Sequence, residues 1–469
     1  MYAHRHAIVL GGSMAGLLAA RVLSDHLEHV TLIERDPLPD ENGPRKGVPQ
    51  GRHVHGLLAS GLNQLCRYFP GLRDALTADG AIIADMAERV RWHQRGAYKA
   101  RFVSGYEGAF LSRTLLEQHV RRRVRALPNV TTLDATDVER FSWNEEHSRV
   151  TGVMLRAPRS LTTPSLDADI VIDATGRGSR TPAWIEQAGY VRAPERSVKI
   201  DIGYATRVYR RTPDDLPDAD AVIISAAPPT SRRMGVLFPA EGDRWICMLG
   251  GWHGDHAPTD PAGYLRFAEG LGAQDIHRII ARAEPISEIS THRFPSSRRC
   301  HYERLQRFPE GLLVLGDAVS SFNPSYGQGM TSAALQAAAL DRLMRDRRGR
   351  SLDGLWREYF RDVARVVSIP WDVVSGEDFR FRETTGARPP LVGLINRYVG
   401  QVQKASSTDP VVFTAFLHVM NMQKVPQSVL APRVAWRVLR AGLARWGARE
   451  RDATERTHAP VHDGRARPH

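Results

Sequence analysis

The sequence predicts an α/β fold: a Rossmann-type domain on a parallel sheet, an inserted antiparallel β-sheet and a C-terminal helical region. Three observations predict it. Short apolar runs end in glycine at "HAIVLGG" (6–12), "ADIVIDATG" (168–176) and "GLLVLGD" (311–317), as expected of strands buried on both faces. Between about 195 and 300 the pattern becomes β-rich and alternating, as in "VKIDIGYATRVYR", "RMGVLFPA" and "RWICMLGGW", with Pro, Gly and Asp between the segments. Residues 352–446 then carry helical periodicity throughout.

In chain order, the strand Ala7–Leu10 meets Gly11-Gly12 directly, Leu17, Leu18, Val22 and Leu23 recur at helical spacing, and Val30–Ile33 returns to strand. A loop "PRKGVPQGRHVHGLL" precedes a helix expected over about 57–76, and short strands are expected between 90 and 110. "SRTLLEQHVRRRVRAL" reads as a helix with Ser112 as its N-cap. These segments divide the chain into a first part of the parallel-sheet domain (1–194), a β-rich substrate layer (195–300), a return segment (301–350), a helical region (351–449) and a tail (450–469) expected to be disordered.

Composition narrows the function. Cys66, Cys247 and Cys300 lack metal-ligand spacing and read as reduced thiols. No run has the length of a membrane span and the chain enters its first strand at once, so a cytoplasmic protein is expected. The net charge is +12, and residues 433–469 hold nine arginines against four acids. The clusters "HVRRRVRAL" and "RDRRGR" read as solvated helix ends or loops. No recognition helix, RNA-binding fingerprint or zinc finger accompanies these charges, so nucleic acid is not an expected partner.

The chemistry-bearing segments are four. In "GGSMAG" Gly11 permits a tight turn and Gly16 a close approach of helix and sheet, while helix-start N–H groups suit a pyrophosphate. Glu34 follows Gly16 by eighteen residues, the spacing of an acid that holds a ribose with a free 2′-OH. Ser13 stands where a second glycine is usual; its hydroxyl can itself donate to a phosphate oxygen. Such glycines also occur for packing alone, and the loop by itself leaves both readings open. The second segment is Arg113 at a helix start, and the third is "DIVIDATGRGSRTPAW" with Ser179 and Arg180. In the fourth, Asp317 ends a buried strand and Gly327-Gln328-Gly329 opens a helix, which suits a ribityl hydroxyl and the electron-rich edge of a flavin.

With "IERD", "PRKGVPQGRHVHGLL", "SRTLLEQHVRRRV", "DATGRGSRTPAW", "GDAVSSFNPSYGQGM" and "DPVVFTAFLHVMN", the chain resembles the FAD-dependent monooxygenases of the para-hydroxybenzoate hydroxylase fold. Within them it resembles the branch of squalene-epoxidase-like and polyether-type polyene epoxidases of bacterial natural-product biosynthesis. The resemblance implies that Gly11, Ser13, Met14, Ala15, Gly16, Glu34 and Arg35 hold the ADP half of FAD. It implies that Arg45, Lys46, Val48 and Gln50 lie along the ribityl chain and flavin, Arg113 near the pyrophosphate, and Val138 at the adenine. Asp317 would bind the ribityl or pyrophosphate region, and Gly327, Gly329 and Met330 would sit over the pyrimidine. The implied reaction inserts one oxygen atom from O2, via a flavin C4a-hydroperoxide, into a hydrophobic or carrier-bound substrate by epoxidation or hydroxylation.

One departure qualifies it, and flavin-dependent halogenases and geranylgeranyl-reductase-like enzymes are the enzyme alternatives. The class carries an Asp-Gly pair that couples FAD to NAD(P)H, and Thr175-Gly176 stands there instead, so electrons from NADPH or NADH could arrive directly or through a flavin reductase. The Trp-x-Trp-x-Ile-Pro signature of flavin-dependent halogenases is absent; geranylgeranyl-reductase-like alkene reduction is the other enzyme alternative.

Tyr204, Phe238, Pro239, Trp245 and Trp252 are candidates to line the substrate layer, with plain core packing as the other reading. His53 and His55 point the same way along an extended segment; without a third ligand they are expected to order the loop, and no metal site is expected. Trp436, Leu439, Leu443 and Trp446, flanked by Arg433, Arg437 and Arg440, form a helical stripe. Packing onto the body is the expectation for it, and contact with a membrane surface or acidic acyl carrier the alternative.

Overall fold

The computed structural model describes residues 5–39, 43, 45, 47–156 and 164–457. Five strands form a wholly parallel sheet in the order Leu312–Val314, Ile170–Asp173, His6–Leu10, His29–Ile33, Val130–Leu133. Leu10 lies in register with both Ile33 and Asp173, so the carboxyl ends of the central strands open on one crevice, where ligands bind in such sheets. The helices Met14–Ser24 and Gly329–Asp346 pack together beside this sheet.

A second sheet of nine strands is held together by the long strand Glu195–Arg210, which pairs antiparallel with Arg244–Trp252 on one side and Ser290–Cys300 on the other. It is wider than the 195–300 segment. Val90–Gln94 joins it by parallel pairing with Ala221–Ile224, and Ala97–Tyr98, Ser320–Ser321 and Thr385–Gly386 complete its edges. Both faces are buried: one faces the main core, the other a separate cluster around Tyr209, Leu237, Trp245 and Leu249 under the helices Pro261–Glu269 and Asp275–Ile280.

Local sequence explains most element ends. The helix expected over 57–76 is two, Ala59–Tyr68 and Leu72–Ala78, because Pro70 cannot continue a helix and Gly71 takes a φ of 72°. The Ser112 hydroxyl accepts from Leu115 N–H at 3.1 Å and caps Arg113–Arg125. That helix is less solvated than its charges suggest, since His119 and Arg121 are buried.

Leu355–Asp378, Val392–Ala405, Pro410–Met420 and Pro432–Thr457 build the C-terminal region. The last helix runs through 450–457, where disorder was expected; "RERDATERT" holds no Gly or Pro to stop it, and 458–469 lie outside the described residues. Among the described residues no helix is long and apolar enough to cross a membrane, no cluster could hold a metal, and all three cysteines are free.

Candidate functional site

At the crevice, Gly11 has a φ of 104°, and a Cβ there would meet the Ala174 carbonyl oxygen at 2.6 Å. A Cβ on Gly16 would lie far inside van der Waals contact with the Gly11 carbonyl oxygen. The loop is therefore compact by steric necessity. Glu34, at the end of the neighbouring strand, accepts from Gly12 N–H at 2.6 Å and Asp36 N–H at 3.0 Å, which fixes its carboxylate beside the loop. Arg35 points largely to solvent.

Ser13 is the N-cap of Met14–Ser24 yet its hydroxyl makes no capping bond. It accepts instead from Arg113 Nη2 at 2.9 Å and donates to Glu117 Oε2 at 3.1 Å. Glu117 is buried and also pairs with Arg45, with Arg113 at 3.4 Å and with Arg121 at 3.5 Å. One carboxylate thus holds three guanidiniums at the edge of the crevice. Sequence reading missed Glu117, although Arg113, Glu117 and Arg121 recur at i, i+4 and i+8 on one helix face. Arg45 Nη1 is buried without a hydrogen bond, its nearest acceptor being the Glu34 carboxylate at 3.7 Å, so an acceptor entering the crevice would complete its pairing.

On the far wall Asp173 ties down the turn after its strand. It accepts from Thr175 N–H at 2.9 Å, Thr175 Oγ1 at 2.6 Å, Thr181 Oγ1 at 2.6 Å and the Ser179 hydroxyl. Ser179 is committed to that knot. Arg180 stacks on Trp184 and donates to the Val138 carbonyl, so Val138 reaches the crevice with its oxygen already engaged.

Asp317 stands accessible in the crevice at the turn Gly316–Ala318; desolvation by the crevice walls pushes its carboxyl up, against the pull of Arg113, Arg177 and Arg298. Gly327 has a φ of 65°, and neither it nor Gly329 has any atom within 4 Å of where a Cβ would lie. Gln328 caps Gly329–Asp346 without a side-chain bond, leaving the first helical N–H groups without intrahelical acceptors.

These groups line a cavity of about 500 Å³. Gly11, Ser13, Met14, Ala15, Glu34, Arg35, Arg45, Val48, Gln50, Arg113, Val138, Asp317, Gly327, Gly329 and Met330 all border it. Gly16 lies behind the loop, and Lys46 lies outside the described residues. A second cavity of about 950 Å³ adjoins it across Val54, Gly56, Met248, Pro324 and Gly327, and its walls are overwhelmingly apolar.

The aromatic candidates divide by strand parity. Tyr204 borders the first cavity, and Phe238 and Trp252 the second. Pro239 and Trp245 do not line either: side chains alternate across a sheet, and these two lie on the opposite face, where Trp245 Nε1 donates to Asp215 at 2.9 Å. Trp252 Nε1 and Asn323 Nδ2 both donate to Asp378 Oδ1, at 3.3 and 3.0 Å, linking the two cavities to the buried helix end. Burial pushes the Asp378 carboxyl up to about 7. Asp378 was also missed, because an acid near a helix end reads as solvated.

His53 Nδ1 is 2.8 Å from Thr206 Oγ1, and its ring meets Tyr204 edge-on. His55 Nδ1 is 2.9 Å from the His53 carbonyl oxygen. These contacts tie both histidines into the loop. Burial, with His292 and Arg52 adding repulsion, lowers His53 to about 4; burial and Arg113 lower His55 to about 3. Both are neutral at pH 7. Unfolded histidine titrates near 6.5, so below that pH the unfolded chain binds more protons. The stabilisation is complete above pH 6.5 and is lost as pH falls toward 4, about 3 kcal/mol for His53. Urea midpoints measured from pH 7 to 4 should fall along this window, and His53→Gln should flatten the slope.

No family model matches the chain. It is 34% identical to Protein Rv3254 of Mycobacterium tuberculosis over 463 residues, covering 95% of this chain and 96% of that protein. Among solved structures, it superposes on a flavoprotein/dehydrogenase from Cytophaga hutchinsonii with a TM-score of 0.67, 12% identity, 95% of this chain and 100% of that one. PqsL, a probable FAD-dependent monooxygenase from Pseudomonas aeruginosa, gives 0.60 at 18% identity over 81% and 98%. The flavin-dependent brominase Bmp2 gives 0.65 at 12% identity over 95% and 100%. The α/β fold with a Rossmann-like parallel sheet and separate antiparallel sheets is the fold these structures share, and the chain belongs to the same protein family as Protein Rv3254.

Proposed function

We propose that the protein is an FAD-dependent monooxygenase that transfers one oxygen atom from O2 to a lipophilic small molecule by alkene epoxidation or hydroxylation. The observation that carries this reading is the pair of adjoining cavities. One is of mixed polarity and glycine-lined at the carboxyl ends of a parallel sheet; the other is mostly apolar and roughly twice as large. The residues present fit the cofactor: Arg45 Nη1 makes no hydrogen bond and has only the Glu34 carboxylate at 3.7 Å, the helix at Gly329 offers N–H groups without intrahelical acceptors, and Gly327 and Gly329 face open space.

Glu34 would take the ribose, Ser13, Arg45 and Arg113 the pyrophosphate, and Asp317 the ribityl chain. Gly327, Gly329 and Met330 would meet the pyrimidine edge. Bound FAD supplies the two-electron redox chemistry and the activation of O2. The chain supplies shielding and aim: Phe238, Met248 and Trp252 keep water from the junction, and neutral His53 and His55 add no charge there. Electrons come from NADPH or NADH, directly or through a flavin reductase; Thr175-Gly176, tied to Asp173, favours the second route.

The purified protein should carry about one FAD per chain, released on denaturation. Reduced holoenzyme mixed with labelled O2 and apolar alkenes or aromatics should give product containing one labelled oxygen. Product that gains two hydrogens and no label would replace this reading with alkene reduction. Bleaching by NADPH alone against bleaching only with added reductase separates the two electron routes.

A further inference from the structure

The exposed apolar residues are concentrated in one segment of the chain, whose helices Val392–Ala405 and Pro410–Met420 and the turn Pro426–Leu430 pack against the last helix. Of the twelve large hydrophobic side chains exposed among the described residues, eight lie between Leu391 and Leu443. On the last helix Val434 and Val438 face the body and are buried, while Trp436, Leu439 and Leu443 face outward, Trp436 being 64% exposed. The stripe expected to pack inward therefore points to solvent; the Trp446 side chain lies outside the described residues. Patches of this kind on a soluble chain mark an interaction surface.

Charge is concentrated in the same segment. Residues 387–449 hold nine Lys and Arg against a single acid, a net +8 of the chain's +12. The acid, Asp409, caps Pro410–Met420 through Val411 N–H at 2.9 Å and pairs with Arg437 at 2.9 Å, so it does not offset the field outside. Arg433 and Arg440 are exposed and flank the Trp436 stripe.

The patch is also the rim of the large apolar cavity. Leu394, Ile395 and Leu430 line that cavity and are nevertheless 66%, 52% and 57% exposed. We propose that this face docks onto an anionic lipid bilayer, immersing the apolar stripe and rim among the lipids with arginines at the headgroups, so that the substrate chamber opens into the membrane. Amphipathic, basic surfaces with Trp and Leu lie in the interface in this way. No described helix could span the bilayer, which makes the contact peripheral. A second copy of the chain is disfavoured as the occupant, because two such faces would bring two sets of +8 together. What the chamber admits rests on the proposed lipophilic substrate; the docking itself does not.

The test uses the full-length protein and vesicles of phosphatidylglycerol with phosphatidylethanolamine, beside vesicles of phosphatidylcholine. The protein should co-sediment with the anionic vesicles, less so in high salt, and each charge removed in Arg433→Gln and Arg440→Gln should weaken partitioning roughly fivefold. Lipids brominated in the acyl chain should quench Trp436, with the quenching reduced in Trp436→Phe, absent in Trp436→Phe with Trp446→Phe, and restored by Leu430→Trp at the cavity rim in that double background. The combined Trp436→Ser, Leu439→Ser and Leu443→Ser variant, altering only exposed side chains, should keep its fold and lose the vesicles. Absence of anionic-vesicle binding at low salt, equal binding to neutral vesicles, or binding only to an acidic carrier protein would overturn the proposal. None of these outcomes bears on flavin content or on the oxygen label, so the oxygenase reading stands or falls separately.

Discussion

Gly16→Ala is expected to yield protein that carries no flavin and unfolds well below the parent. The added Cβ would overlap the Gly11 carbonyl oxygen, and a backbone oxygen held in a loop cannot rotate aside as a side-chain end can. Relief requires the first helix to move off the central strand, and that helix buries Leu17, Leu18, Ala19, Ala20, Val22 and Leu23. Overpacking of this kind costs about 1–3 kcal/mol where neighbours can adjust, and more where the neighbour is backbone. The displaced loop also loses the Gly12 N–H to Glu34 contact at 2.6 Å that fixes the ribose-facing acid. Ser13→Gly, three residues away, is the contrast: it removes two hydrogen bonds to charged groups, Arg113 and Glu117, for about 2 kcal/mol or more, but leaves the loop backbone in place and should retain most of its flavin. Released flavin per chain and the thermal midpoint of both variants check the pair. Equal flavin in Gly16→Ala and the parent would remove the loop from the cofactor site.

The parts legible in the sequence were those set by neighbours along the chain. A strand meeting glycine, a helix opened by Ser112, and a glycine pair before Met330 are local patterns, and each lies where its spacing put it. Pairing between distant segments was not legible. Val90–Gln94 reads as a strand from its own residues, but its partner Ala221–Ile224 lies far along the chain and carries no matching signal. Face was equally hidden. Alternation groups Met234, Val236 and Phe238 against Gly235, Leu237 and Pro239, yet both groups are apolar because both faces are covered, and only the long-range packing decides which borders the chamber. Buried charge was not legible: Arg121 sits in a run of arginines that resembles a solvated helix end, Glu117 stands one turn before it, and their burial follows from Arg45 and Ser13 arriving from other segments. The Trp436 stripe failed in the opposite sense, since amphipathicity reports that an apolar face needs a partner without saying that the partner is this chain.

Glu117→Gln is expected to cost the apoprotein about 3 kcal/mol or more while leaving its shape unchanged. The carboxylate lies between Arg45, Arg113 and Arg121 with its side chain almost wholly buried, and each of these guanidiniums is itself largely buried. Their own desolvation is offset chiefly by this anion, with Glu34 3.7 Å from Arg45 as a second, more distant one. Removing one partner of a buried ion pair costs about 3–5 kcal/mol because the opposite charge stays behind, and here three cations stay behind. Glutamine has the same length and can still accept from Ser13, which separates the loss of charge from the loss of packing. The sign of the cofactor's effect then follows. A pyrophosphate at the crevice brings negative charge to Arg45 and Arg113, so it replaces part of what Glu117 supplied, and saturating FAD should raise the denaturation midpoint more in Glu117→Gln than in the parent. Urea denaturation with and without FAD measures both terms. Equal FAD-induced shifts in the two proteins would mean that the pyrophosphate does not face these guanidiniums, and an apoprotein as stable as the parent would mean that the cluster is held by its other contacts.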